Sequence, residues 1–286
     1  MPSTVDTLIF GCGYIGLPVA RELISRGHSC AAVTRSRERG TQLAAEGITP
    51  LIADVCDPAS LASLPAAKRV LWAVGYDRAS PHSKEAVYVT GLGHALAAVK
   101  PHSPRVVYIS STSVWGFDDG RWVDETTPID PTNEGGRICA AAEEMLQQHI
   151  PLENRTILRL AGIYGPGRLL AKAEALQQGE PLAGSGDAWL NLIHQTDAAQ
   201  LATRLLLEGG PEVVLGVDHE PVRRTDYYSE LARLIAAPPP TFDESVTPKR
   251  GTGGLNKRCR STHPEHRDYR FASYREGLVN GLVVSE

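Results

Sequence analysis

The stretch Gly11-Cys12-Gly13-Tyr14-Ile15-Gly16 has the residue types and spacing to seat two linked phosphates. In a G-x-G-x-x-G loop the first glycine permits a tight turn. The second removes a side chain where a pyrophosphate meets the backbone, and the third lets the following helix pack closely on its strand. A helix beginning there also presents N–H groups and the positive end of its dipole to the phosphates. The implied chemistry is dinucleotide binding, with Gly11, Gly13, Tyr14, Ile15 and Gly16 as the contact loop; an ordinary glycine turn is the alternative. About twenty residues further on, an NAD-preferring site places an acid for the ribose 2′-hydroxyl. Here the chain reads Thr34-Arg35-Ser36-Arg37, with no carboxylate. Arg35 is suited to a bidentate, charge-assisted pair with a 2′-phosphate, so NADP is expected over NAD. Arg37 can equally be the first residue of an exposed helix. Asp54 reads either as an acceptor for an adenine amine or as a loop acid, and Gly75 would let the chain pass close to a nucleotide.

These residues need strands that end where they stand. Residues 7–10 are apolar and partly β-branched, and residues 17–24 carry apolar side chains at helical spacing. Gly27-His28 is a helix stop. Further strands are predicted over 29–33, 47–54, 69–75, 105–109 and 155–160, with helices over 37–46 and 83–99. His94, on the second of these helices, reads as a surface or packing histidine. The alternation implies an α/β fold with a parallel sheet covered on both faces, whose ligands lie beyond the carboxyl ends of the strands.

Composition excludes several classes. The chain has 286 residues and a formal charge of −4, which argues against a general polyanion binder. No apolar run approaches the roughly 20 residues that span a bilayer, and residues 1–6 lack the basic start of a secretory signal. The five cysteines, Cys12, Cys30, Cys56, Cys139 and Cys259, are scattered and odd in number. They suggest reduced thiols in a cytoplasmic protein, and no metal site is expected from their spacing.

Three later segments carry a resemblance. They are Ser110-Ser111-Thr112-Ser113-Val114-Trp115-Gly116, Ile163-Tyr164-Gly165-Pro166-Gly167-Arg168, and Asn191-Leu192-Ile193-His194-Gln195-Thr196-Asp197. With the glycine loop, and in this order, they resemble the extended short-chain dehydrogenase/reductase family, specifically its NAD(P)-dependent epimerase/dehydratase group. The resemblance implies a Rossmann-type doubly wound parallel sheet with a small C-terminal substrate-binding lobe. It divides the chain into a nucleotide domain, residues 1–165, and a substrate lobe, residues 166–286, some of whose segments return to the sheet. It matches Ser111 to the catalytic serine that bonds the reacting oxygen. It sets Tyr164 and Arg168 on the substrate side and makes Asn191, His194 and Asp197 a tie between lobe and main domain. For His194, interior hydrogen bonding and substrate contact both stay open.

The sequence departs from the family at the Y-x-x-x-K pair on the helix after strand five. Gly135 stands where the tyrosine belongs and Cys139 where the lysine belongs, while Glu143 aligns with the final glutamate. A missing general acid forfeits about 10²–10⁴ in rate, whereas hydride transfer belongs to the nicotinamide. The Asp-Glu pair of sugar-nucleotide 4,6-dehydratases is also absent, since Thr112-Ser113 follows Ser111. Asp118, Asp119, Asp124 and Glu125 read as solvated turn residues. Between Pro238-Pro239-Pro240 and Gly251-Thr252-Gly253-Gly254 the chain looks like a linker. The tail Lys257, Arg258, Arg260, Arg267, Arg270 and Arg275 could receive a phosphorylated or carboxylated substrate, or form a mixed-charge surface. The expected function is an oxidoreductase or epimerase using NADP on a small hydroxylated or sugar-derived substrate. Its rival is a non-catalytic NADP-binding sensor. Expected partners are a small molecule, neither nucleic acid nor membrane, with a homodimer left open.

Overall fold

The computed structural model describes residues 4–168, 170–246, 255–263 and 268–282. The linker glycines 251–254 and Arg267 lie outside them. In chain order the first half runs β1 (Val5–Phe10), α1 (Gly16–Ser25), β2 (Cys30–Thr34), α2 (Arg37–Ala45), β3 (Thr49–Ile52), β4 (Ala67–Trp72), α3 (Gly91–Val99) and β5 (Arg105–Ser111). Then come β6 (Trp122–Val123), α4 (Glu134–His149), β7 (Arg155–Leu160), β8 (Gly162–Tyr164), α5 (Leu170–Gln177), β9 (Leu182–Ala183), β10 (Trp189–Leu190) and β11 (Leu192–His194). The chain closes with α6 (Gln195–Glu208), β12 (Val213–Gly216), β13 (Val222–Arg223), α7 (Arg224–Leu234), β14 (Phe242–Asp243), β15 (Arg258–Cys259) and α8 (Tyr274–Gly281).

Seven strands form the main sheet in the order β12-β7-β5-β4-β1-β2-β3. β1 pairs in parallel with both β2 and β4, β2 with β3, and β4 with β5. The order from β3 to β5 is that of a doubly wound nucleotide-binding sheet, with the reversal between β1 and β4. Leu8, Ile9 and Phe10 of β1 are buried, as are Val70, Leu71 and Trp72 of β4. Burial on both sheet faces explains why these strands read as continuous apolar runs rather than alternating ones. α1 buries Val19, Ala20 and Leu23 along one stripe. It ends at Gly27, φ +83°, where the His28 N–H bonds the Leu23 carbonyl, as the sequence stop predicts.

The predicted helix over 83–99 is not uniform. Residues Ala86–Thr90 form a π-helical turn before α3 begins. Periodicity cannot foresee such a turn, because it inserts one residue without changing composition. It carries Tyr88, whose hydroxyl accepts the Tyr76 N–H at 2.8 Å.

By compactness the chain divides into two interleaved units. One comprises Met1–Ser111, Glu134–Arg159 and Ala199–Val214; the other comprises Thr112–Asn133, Leu160–Ala198 and Leu215–Glu286. The core of the first gathers Leu8, Phe10, Val70, Trp72, Leu92, Leu96, Val106 and Leu146. That of the second gathers Tyr164, Leu192, Tyr227, Tyr228, Leu231, Tyr274 and Leu278. Among the described residues no helix is long and apolar enough to cross a membrane.

Candidate functional site

The glycine loop lies between β1 and α1, and its glycines differ in what keeps them glycine. Gly11 has φ +88°, and a Cβ there would collide with the Ala73 carbonyl oxygen. A Cβ on Gly16 would collide with the Gly11 carbonyl oxygen. Both are therefore required by the fold. Gly13 has no positive φ, and its Cβ would meet no atom within 4 Å. Gly75, just beyond the end of β4, shows the same combination. Neither backbone conformation nor packing within the protein accounts for a bare backbone at these two positions. Both leave open space beside the main chain, the feature that the second glycine of a G-x-G-x-x-G loop provides.

The start of α1 fits the same purpose. Ile15 stands at the N-cap with no side-chain capping bond, and no acid occupies the first turn. By contrast α2 is capped by Ser36 Oγ, which accepts the Arg39 N–H at 3.1 Å. The uncapped end leaves its dipole for an anion. Cys12 is buried inside the loop, and burial pushes its thiol up to about 11, so it stays protonated. Tyr14 and Ile15 follow directly, the former half-buried and the latter buried.

Arg35 lies just past the end of β2 and is exposed. Its guanidinium pairs with Asp77 Oδ2 at 2.9 Å and reaches Ser80 Oγ at 3.5 Å. Arg39, which sequence reasoning did not single out, donates to the Cys12 carbonyl at 3.0 Å and so touches the glycine loop directly. A periodic helix pattern gives no sign of this, since Arg39 sits on the first turn of α2 and crosses a gap of 27 residues. Asp54 is half-buried beyond β3; its Oδ1 accepts the Cys56 N–H at 2.9 Å and its own N–H bonds Ser60 Oγ. Glycine loop, Arg35, Arg39, Asp54 and Gly75 all belong to the first unit.

Ser111 ends β5 and is half-buried. Its neighbour Ser110 donates to Glu143 Oε1 at 2.5 Å. Glu143 in turn receives Arg159 Nε at 3.1 Å and Nη2 at 2.7 Å. Both charged side chains are under 8% exposed (7% and 4%). This buried network joins the ends of β5 and β7 to α4 and so fixes the backbone that carries Ser111. Gly135 and Cys139 lie about one turn apart on α4, both half-buried.

In the second unit Tyr164 is buried, with its hydroxyl 3.4 Å from the Ser273 carbonyl. A Cβ on Gly277 would collide with that hydroxyl, so Gly277 of α8 makes room for the ring. Burial raises the Tyr164 phenol far above its ordinary range. Arg168 is exposed. Asn191 donates to the Lys257 carbonyl at 2.9 Å and accepts the Cys259 N–H. Asp197 accepts the N–H groups of Arg270 and Phe271 at 2.7 and 3.1 Å. These bonds run within the second unit. His194 is fully buried; its Nδ1 accepts the Thr196 N–H at 3.2 Å and its ring packs on Phe271 at 4.2 Å. Burial pushes its pKa down to about 4, which keeps it neutral.

Two expectations about charged residues change. Glu125 is not a solvated turn residue. It accepts Leu215 N–H, Ser261 Oγ, Thr262 N–H and Thr262 Oγ1, all at 2.6–3.0 Å. Burial pushes its carboxyl up, but these bonds outweigh that and hold it below the usual range. The tail is not one uniform surface either. Lys257 is buried, and desolvation lowers its pKa. Arg258 stacks on Trp122 and Trp189 at 4.8 and 5.4 Å, Arg260 on Trp122 at 5.5 Å, and Arg223 on Trp189 at 3.9 Å. Asp119 and Arg121 form an exposed pair, as expected of that loop.

Comparison with known proteins agrees with this geometry. Residues 7–216 match the profile of the NAD dependent epimerase/dehydratase family. The chain is 30% identical over 251 residues to Protein YeeZ of Escherichia coli strain K12, covering 85% of this chain and 88% of that one. It is 25% identical over 294 residues to a 3-diazoavenalumate denitrifying reductase from a Streptomyces species, covering 90% and 95%. A functionally unknown conserved protein from Silicibacter pomeroyi DSS has a structure similar to this one, with a TM-score of 0.78 and 30% identity over 96% of this chain and 97% of that one. A glycine-rich loop after the first strand of a seven-stranded sheet, and a sequence match over residues 7–216, place the chain in the NAD-dependent epimerase/dehydratase family.

Proposed function

We propose that this chain is an NADP-preferring oxidoreductase or epimerase of a small hydroxylated or sugar-derived substrate, working with an atypical active site. The observation that carries the reading is the pair Gly13 and Gly75, bare where neither φ nor packing demands it. Gly11, Gly13, Tyr14, Ile15 and Gly16 would hold the pyrophosphate, Asp54 and Gly75 the adenosine, and Arg35 the 2′-phosphate after leaving Asp77. A bound nicotinamide would supply the hydride. Ser111 orients the reacting oxygen by a hydrogen bond, on a strand end clamped by Ser110, Glu143 and Arg159. Arg168 meets the substrate, while Tyr164 supports that segment from the core of the second unit. Water or another group carries the proton that the family's tyrosine would move. The reductase name of the Streptomyces relative favours reduction over dehydration.

Gly135 and Cys139 favour a second reading, a nucleotide-binding sensor without chemistry. The experiment that separates the two mixes NADPH and the protein with a panel of carbonyl compounds and sugar nucleotides, following absorbance and epimer composition. Turnover of any compound, reduced by Ser111→Ala, supports the enzyme. Tight NADPH binding with no turnover across the panel supports the sensor and refutes the enzyme.

A further inference from the structure

We propose that Asp54, Cys56 and His82 form a binding site for a divalent cation of the zinc class. A carboxylate oxygen of Asp54, the Cys56 sulfur and a ring nitrogen of His82 all lie within 4.8 Å of one another. All three residues are half-buried, neither sealed in the core nor fully solvated. A tetrahedral zinc centre, with bonds of roughly 2.0–2.3 Å, places its donor atoms about 3.5 Å apart. Closure on an ion therefore needs side-chain movement on the order of 1 Å, within reach of rotamer adjustment. Carboxylate, thiolate and imidazole together are a donor set for zinc or cobalt and a poor one for magnesium or calcium.

The backbone around the three donors is held in place. Asp54 Oδ1 accepts the Cys56 N–H at 2.9 Å, which orients the carboxylate. The Val55 carbonyl between them bonds His94 Nδ1 at 2.9 Å, tying the turn to α3. The Asp54 N–H bonds Ser60 Oγ at 3.0 Å. On the other side, the His82 carbonyl accepts the Tyr76 hydroxyl at 3.0 Å and the His82 N–H bonds Ser80 Oγ at 3.2 Å. Both contributing segments are thus held at the main chain, and the Asp54 carboxylate has a hydrogen bond of the kind that supports ligating carboxylates. Arg35, whose charge acts on Cys56, is ion-paired with Asp77, so its field at the site is offset. The ion would join the segment after β3 to the loop after β4, with three protein donors and a coordination position open to water. The Cys56 thiol releases its proton to solvent as the sulfur binds.

This inference stands on the three donors alone and not on nucleotide binding. The test is therefore a cobalt(II) titration of the full chain without nucleotide and with a non-thiol reductant. The expected result is one equivalent bound, with a thiolate-to-cobalt charge-transfer band and the strong visible bands of a four-coordinate ion. Zinc should displace it, and excess magnesium should not. Cys56→Ser removes the charge-transfer band, and His82→Ala weakens affinity by at least about tenfold, as loss of a ligand or its support does. Both variants should keep the wild-type melting temperature. The proposal is overturned by the absence of a thiolate band, by its persistence in Cys56→Ser, or by unchanged affinity in His82→Ala.

Discussion

Replacing Arg35 by alanine tests the choice between NADP and NAD. In the structure its guanidinium rests on Asp77 at 2.9 Å, and the two side chains are 45% and 52% exposed. An ion pair so exposed contributes at most about 1 kcal/mol. Hydrogen bonds to a charged partner such as a 2′-phosphate contribute about 1.5–3 kcal/mol, so moving from Asp77 to the phosphate is favourable. With up to about 1 kcal/mol of Asp77 pairing given up on binding, the net of about 0.5–3 kcal/mol means, at about 1.4 kcal/mol per decade, that Arg35→Ala should weaken NADPH by roughly 2- to 150-fold and leave NADH unchanged. Asp77→Asn should do the reverse, strengthening NADPH by up to about fivefold, since the competing pair is worth no more than about 1 kcal/mol. Arg39→Ala is the control. It removes the bond to the Cys12 carbonyl and should weaken both nucleotides alike. Fluorescence titration with NADPH and NADH supplies the two Kd values for each variant. Salt adds a second axis: going from 0.1 to 1 M shortens the Debye length from about 10 to 3 Å, so the NADPH advantage should shrink in wild type and not in Arg35→Ala. If the NADPH-to-NADH ratio of Arg35→Ala stays within about twofold of wild type, taking twofold as the resolution of such titrations, the assignment of Arg35 fails.

Three further outcomes follow from side chains in the interior. His194 has a folded pKa of about 4, below its unfolded value of 6.5, so the unfolded chain gains the proton first as pH falls. Its contribution is intact above pH 6.5 and is lost as pH falls from there towards 4, about 3 kcal/mol in all; urea melts across that window should show a loss that His194→Gln flattens. Removing one partner of the buried Arg159–Glu143 pair, as in Glu143→Ala, should cost about 3–5 kcal/mol by denaturant titration, and the double variant with Arg159→Met should cost less than the two singles summed. Gly11→Ala forces a side chain into φ +88° against the Ala73 carbonyl, and its melting temperature should fall sharply, corresponding to at least about 1–3 kcal/mol.

The nucleotide half of this fold is legible in the sequence because its signals are local. A glycine loop between an apolar strand and an amphipathic helix carries its own context, and the stop at Gly27-His28 falls where α1 ends. The second unit is harder. β6 and β15 are two residues each, too short for any periodicity, and they pair Val123 with Cys259. Glu125 reads as a turn acid because its partners Leu215, Ser261 and Thr262 stand some 90 residues or more away. Asp54, Cys56 and His82 are closer in sequence, yet their spacing matches no metal motif, and only the fold brings them together. Charge type alone likewise did not separate buried Lys257 from Arg258 and Arg260 stacked on Trp122. The Ser110–Glu143–Arg159 network shows the opposite case: Glu143 aligns with a family position, but only the structure shows what it holds.

The central claim is that the open space before Gly13 receives a pyrophosphate. Calorimetric titration of NADPH and NADH into wild type and Gly13→Ala tests it most directly, because a methyl group there meets no protein atom and should leave the melting temperature unchanged. The account predicts binding of at least one nucleotide by wild type and a loss of at least about tenfold, or 1.4 kcal/mol, in the variant. Absence of binding by wild type, or equal binding by a folded Gly13→Ala, would contradict it.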